Sequence, residues 1–158
     1  MGYKNVGERD ASGTGGKPGA HRETNGVKMK LKFSNDQHRT YMDFTDSVIE
    51  EWADVFEGDT DFVDAAYWDL LTNMWRARTP VRKTDALKFM TTIKSAHTAG
   101  KYLEVALEKA LIIEQNNPKD ARSKLLTLSD DLRDRLDVYF DFVVDEMRKT
   151  CKMIDGMK

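Results

Sequence analysis

From position 35 onward, apolar residues fall into runs of helical period separated by short polar or turn-forming breaks. Tyr41, Phe44, Val48, Trp52 and Val55 recur every three or four residues on an acidic background, the spacing of one apolar stripe along a helix. Ser34 or Asn35 suits its cap and Gly58 its end. A second helix is predicted after Thr60 or Asp61. It carries Phe62, Ala65, Ala66, Trp68, Leu70, Leu71, Met74 and Trp75 and stops before Thr79-Pro80. Val81 to Met90 reads as a short helix with Pro80 well placed at its start and Ala86, Leu87, Phe89 and Met90 on its buried side. After the polar break Thr91–Lys94, Ser95 caps another helix, through Ala99, Tyr102, Leu103, Ala106 and Leu107 to about Ala110. Two short helices joined by a turn of a few residues are therefore expected.

The pattern then changes. Leu111-Ile112-Ile113 reads as a strand, Gln115 to Asp120 as a turn, and Ser123 to Leu128 as the returning strand. Ser129 caps a last long helix, with Asp130 and Asp131 in the first turn, where carboxylates suit the helix dipole. Leu132, Leu136, Phe140, Val143, Met147, Cys151 and Ile154 step along it by three or four. The expected fold class is mainly α with a small β-hairpin wing, a winged helix-turn-helix whose two short helices and wing span 81–128.

A chain of 158 residues fits one domain and can bury a core without staples. Its one cysteine, Cys151, excludes an internal disulfide and a multi-cysteine zinc site. No apolar run approaches membrane-span length and no leader-like stretch opens the chain, so a soluble cytoplasmic protein is the expectation. Residues 1–34 hold many glycines, several bases and few apolar side chains, and read as a flexible basic tail before a 35–158 domain. Within it, Gly13 to Pro18 has the look of a phosphate loop. It lacks a glycine five positions before Gly16, a Ser or Thr after Lys17, and a preceding strand. Such a tail can touch DNA phosphates; an inert tail is the plainer reading.

Charge distribution is more informative than the net value of −2. Between Asp36 and Asp69 every acid is offset by Arg39 alone, whereas from Arg76 to Lys101 the bases Arg76, Arg78, Arg82, Lys83, Lys88, Lys94 and Lys101 face only Asp85. Ser129–Glu146 is acidic again. A basic middle between acidic flanks points to a polyanion facing the middle; ordinary solvated helix faces are the other reading of the same charges.

Two runs carry a resemblance. The first is Ser95-Ala96-His97-Thr98-Ala99-Gly100-Lys101-Tyr102-Leu103, continued by Leu107-Glu108-Lys109-Ala110-Leu111-Ile112. The second is Asp120-Ala121-Arg122-Ser123-Lys124-Leu125-Leu126-Thr127-Leu128-Ser129, followed by a long helix. Over roughly Val81 to Met147 the chain resembles the MarR family of winged-helix regulators, in a recognition-helix pattern followed by an Asp-x-Arg wing. It departs from that pattern at Ala110, where the family has Gly, at Ala106, where a larger apolar residue is common, and at Asp130-Asp131-Leu132, where a Gly-containing start is usual.

The residues suit the chemistry the resemblance implies. Major-groove reading needs short polar and basic side chains on the first half of a helix, and Lys94, Ser95, His97, Thr98 and Lys101 form that set, with Gly100 leaving the backbone open to close approach. Arg122 at a hairpin tip can enter a narrow minor groove, oriented by Asp120, while Lys119 and Lys124 add phosphate contacts and Arg82 and Lys83 reach the backbone from the first short helix. Each has a plainer reading: surface polarity, a cap at Ser95, and a weak surface ion pair between Asp120 and Arg122. The resemblance implies that the helices at 35–58 and 129–155 interlock in a two-fold dimer through Phe44, Val48, Leu136, Phe140, Val143, Met147 and Cys151. Packing of both stripes within one chain is the alternative.

The expected function is sequence-specific binding of double-stranded DNA by a homodimer at a palindromic site, as a transcriptional regulator and repressor associated with the bacterial nucleoid. A phage-type or architectural module, such as a DNA-packaging subunit, and a winged helix used for protein contact alone are the rivals. Relatives of the resembled family sense small aromatic acids, and Trp52, Tyr67, Trp68 and Trp75 can line such a pocket or simply form core. Neither a catalytic set nor a cofactor motif is present, and His21, His38 and His97 are too scattered in sequence to suggest a metal site.

Overall fold

Three serine caps fix where three of the helices begin. In the computed structural model, which describes residues 31–157, Ser34 opens helix α1 (Asn35–Asp54) with a reciprocal box. The Ser34 Oγ accepts from the Gln37 N–H at 3.3 Å and the Gln37 Oε1 accepts from the Ser34 N–H at 2.9 Å. Ser95 caps α4 (Ala96–Glu108) and Ser129 caps α5 (Asp130–Gly156) by accepting from the N–H three residues on. The tail expected at 1–34 and its Gly13–Pro18 run lie outside the described residues, save for positions 31–34.

Helix α1 stops at Asp54, before Gly58, because Glu57 and Gly58 take positive φ (57° and 81°) and turn the chain back. A 3-10 turn, Thr60–Val63, then precedes α2 (Ala65–Ala77), which therefore begins later than the sequence suggests. Two anchors hold that turn: the Trp52 indole donates to the Phe62 carbonyl at 3.2 Å, and the Asp64 carboxylate caps α2 by accepting from the Ala66 N–H at 2.6 Å.

The segment expected to be one helix at 81–90 is divided. Val81–Arg82 is a short strand, β1, and only Lys83–Phe89 is helical, as α3. Val81 is β-branched and follows a proline, which suits a strand start, and both residues pair antiparallel with Leu126 and Leu125. The expected hairpin forms, with β2 at Ile112–Asn116 and β3 at Lys124–Leu128 in register Ile112↔Leu128 to Asn116↔Lys124, so Gln115 and Asn116, expected in the turn, lengthen the first strand. The sheet order β1-β3-β2 makes β3 central. The order of elements and this sheet make a mainly α winged helix-turn-helix.

Leu70 and Leu71 of α2, Ala86 of α3, Leu103 and Ala106 of α4, Ile112 and Leu126 of the sheet, and Leu132 and Leu136 of α5 are sealed from solvent and form one core. Beside it, Trp52 meets Phe56, Trp68 and Tyr139 edge-on at ring separations of 5.1, 4.8 and 5.2 Å, fastening α1 to α2 and α5. Helices α1 and α5 pack on each other along their lengths, the Gln37 amide donating to the Ile154 carbonyl at 3.0 Å and the Arg135 guanidinium to the Val55 carbonyl.

This corrects one expectation about the stripes. Leu136, expected at a dimer interface, has no exposed surface and belongs to the core of its own chain. Tyr41, on the apolar stripe of α1, is 55% exposed. No helix among the described residues is long and apolar enough to cross a membrane.

Ala110 occupies a position that glycine prefers. Its φ is +54°, and it closes α4 with the Ala110 N–H on the Leu107 carbonyl and the Leu111 N–H on the Ala106 carbonyl, both at 3.0 Å. The departure from the resembled pattern therefore places an alanine in the left-handed region and costs backbone strain. Ala110→Gly is expected to stabilise the fold by about 1 kcal/mol, read as a higher thermal midpoint. Leu136→Ala is expected to cost about 2–5 kcal/mol in denaturant unfolding, the cost of a core truncation.

Candidate nucleic-acid interface

Helix α4 presents two unlike faces. Ala99, Leu103 and Ala106 turn inward to the core, while Ser95, His97, Thr98 and Lys101 stand exposed with Lys94 just ahead of them. The inward set at steps of three and four fixes the helix's rotation, so the polar set is held outward by packing. Tyr102 ties the same helix to α2. Its hydroxyl donates to an Asp64 carboxylate oxygen at 3.3 Å, its carbonyl accepts from the Tyr67 hydroxyl at 3.3 Å, and the two rings lie 5.0 Å apart. The Ser95 hydroxyl is engaged as the cap of α4, accepting from the Thr98 N–H at 3.4 Å.

The sheet carries the second group. Arg82 on β1 lies opposite Leu125 on β3, next to Lys124. The hairpin tip holds Lys119, Asp120 and Arg122, all exposed. Their cations differ in freedom. Among the described residues, Lys94, Lys101, Lys119, Arg82 and Arg122 have no side-chain ion pair. Lys83 is held by Glu114 of β2 at 3.2 Å, and Lys124 donates to the Asn116 side chain at 2.6 Å across the hairpin. These two are therefore less available to phosphates than the sequence implies.

The expected side-chain pair between Asp120 and Arg122 does not form; the Asp120 carboxylate bonds the Arg122 backbone instead. Its Oδ1 accepts from the Arg122 backbone N–H at 3.1 Å, which sets the course of the chain and leaves the guanidinium unpaired. Sequence reasoning missed Asn117, which is 8% exposed in a tip where nearly every neighbour is open to water. Asparagine in a polar turn is too common to be singled out from sequence.

Of the two readings open for the four aromatic residues, an effector pocket or core, packing describes most of them. Trp52 and Tyr67 are buried in the core, and Trp75 lies at 4.5 Å from the Phe140 ring with its indole N–H donating to Asp137 at 2.6 Å. Trp68 is the one of the four that opens substantially, at 39% exposure.

The arrangement is that of known winged-helix structures. A S. aureus MepR point mutant bound to an oligodeoxyribonucleotide aligns at a TM-score of 0.56 with 13% identity, over 77% of this chain and 80% of that one. A second MepR mutant, from a multidrug-resistant S. aureus clinical isolate, aligns at 0.54 with 15% identity, over 81% and 86%. An E. coli MarR mutant complexed with operator DNA aligns at 0.48 with 17% identity, over 74% and 78%. No protein-family model matches the sequence, and no curated protein does. The chain thus has the winged helix-turn-helix fold of the MepR structures.

The anchoring of α4 on α2 has a consequence at high pH. Burial, then the Tyr102 phenol and the nearby carboxylates of Asp61, Asp64 and Asp59, push the Tyr67 hydroxyl up to about 12, and the Asp64 charge raises Tyr102 first, ahead of burial. Unfolded tyrosine ionises near 10, so the unfolded chain loses its protons first. The stability these hydroxyls contribute is complete below pH 10 and is lost as pH rises toward about 12. Denaturant unfolding across that window should show the decline, and Tyr67→Phe should make it shallower.

Proposed function

We propose that the protein is a sequence-specific double-stranded DNA-binding transcriptional regulator, a repressor that binds a roughly palindromic site as a homodimer in the cytoplasm, associated with the nucleoid. The observation that carries this reading is the outward face of α4. It has exposed His97, Thr98 and Lys101 on a rigidly packed helix, beside a wing whose Arg122 has no ion-pair partner among the described residues. A helix so presented fits the major groove, and a guanidinium at the hairpin tip fits the adjoining minor groove. The oligodeoxyribonucleotide in the MepR complex supports the same use of the same fold.

Gly100 supports it from another direction. A Cβ there would meet nothing within 4 Å, so packing inside the chain does not require glycine. Glycine within a helix costs about 1 kcal/mol relative to alanine. Gly100 is half-buried at the edge of the outward face, beside exposed Lys101, and a bare backbone there is useful to something that approaches from outside.

Homodimer formation is supported by the pair α1 and α5. Tyr41, Met42, Ile49, Val138, Val144, Met147 and Met153 are all substantially exposed on these two helices. Phe44, Val48, Phe140 and Val143 are half-buried, so each keeps surface for a partner, and Cys151 is exposed on the same helix. Leu136 takes no part.

Binding of the purified protein to the DNA upstream of its own gene and to a shuffled control, by fluorescence anisotropy at two salt concentrations, tests the reading. Native DNA should bind more tightly than shuffled DNA. Arg122→Ala should cost about 1–3 kcal/mol, and Lys101→Ala should reduce the salt slope by about 1. Gly100→Ala should bind more weakly while unfolding at a higher temperature. Salt-sensitive binding blind to sequence would instead indicate an architectural module, and absence of binding at low salt a protein-contact domain.

A further inference from the structure

We infer that Asn117 is the positioning residue of the wing, holding the hairpin tip in the DNA-ready course that places Lys119 and Arg122 before any DNA arrives. This rests on the duplex-binding reading and names the device behind it. The tip between β2 and β3 spans 117–123, and Asn117 is its buried polar side chain. Every bonding group of Asn117 is used within the tip. Its side-chain amide donates to the Ser123 Oγ at 2.7 Å, and its Oδ1 accepts from the Lys119 N–H at 3.0 Å. Its carbonyl accepts from the Asp120 N–H at 3.2 Å, and its own N–H donates to the Ser123 carbonyl at 3.4 Å.

The brace continues to the arginine. The Ser123 N–H and hydroxyl both donate to the Asp120 carbonyl, at 3.0 and 3.2 Å, and the Asp120 carboxylate accepts from the Arg122 N–H at 3.1 Å. Asn117, Ser123 and Asp120 thus close a circuit around Lys119 and Arg122, the tip's two cations, which have no ion pair among the described residues. The alternative way to stiffen a tip, burial of apolar side chains, is absent at 118–122, where every residue is exposed. A long polar tip without this circuit would sample many backbone courses, and ordering it on DNA would weaken binding.

The test is a double-mutant cycle between Asn117 and Arg122, with Ser123→Ala as a second way to open the circuit. Affinity for the best-bound duplex is measured for wild type, Asn117→Ala, Ser123→Ala, Arg122→Ala and Asn117→Ala/Arg122→Ala, with thermal midpoints alongside. Asn117→Ala and Ser123→Ala should each weaken binding about tenfold, a factor in keeping with one lost buried hydrogen bond. Asn117→Ala should have little further effect once Arg122 is removed. Amide exchange in the free protein should quicken at Lys119, Asp120 and Arg122 in Asn117→Ala. Equal weakening in both backgrounds, or unchanged affinity in Asn117→Ala, overturns the positioning role while wild-type binding stands. A wild type that ignores duplex at low salt overturns the DNA-binding reading and this one together.

Discussion

Strand β3 is the constraint on which the basic face depends. It is five residues long and central, paired on one side with Val81–Arg82 and on the other with Ile112–Asn116. The chain leaves the sheet at β1, runs through α3 and α4, and returns at β2, so the helix-turn-helix is an excursion between the two strands that flank β3. Leu126 and Leu128 turn the inner side of that strand into the core that Leu103 and Ala106 of α4 also enter. The Ser129 N–H, donating to the Leu111 carbonyl at 2.9 Å, closes the base of the hairpin at the point where α5 begins. Helix and wing are thereby held on one frame, which is what simultaneous contact with two grooves requires.

Charge follows the same division. The acids concentrate on α1, where Arg39 is the one lysine or arginine, and outnumber the bases on α5, whereas Lys94, Lys101, Lys119 and Arg122 around α4 and the wing have no ion pair among the described residues. An acidic pair of helices repels a polyanion and leaves the basic face as its approach. The cost appears at the boundaries, where Glu114 holds Lys83 and Asp59 holds Lys109 at 3.2 Å each, drawing two cations into local pairs. Such exposed pairs contribute little to stability, and their larger effect is on which charges remain free.

Much of the fold was legible because it rests on local chemistry. Ser34, Ser95 and Ser129 each combine a cap with a following apolar period, and all three start helices where they were read. What escaped depended on distant partners. Val81–Arg82 is too short to show a period of two, and only its pairing with Leu125 and Leu126 makes it a strand. Leu136 lies on a stripe identical in spacing to an interface stripe, and spacing does not say whether the covering surface belongs to the same chain. The candidate site was legible as a set of residue types on one helix and one hairpin. The pairing that diverts Lys83, the backbone route by which Asp120 acts on Arg122, and the bracing by Asn117 arise from side-chain geometry that a one-dimensional pattern does not contain.

The most direct measurement of the central claim is a hydroxyl-radical footprint on a duplex selected by the protein from a random-sequence pool. A dimeric winged helix predicts two symmetric blocks of protection about one helical turn apart, with minor-groove protection flanking each where Arg122 lies. Protection without phase or symmetry, or failure to enrich any sequence, would contradict it.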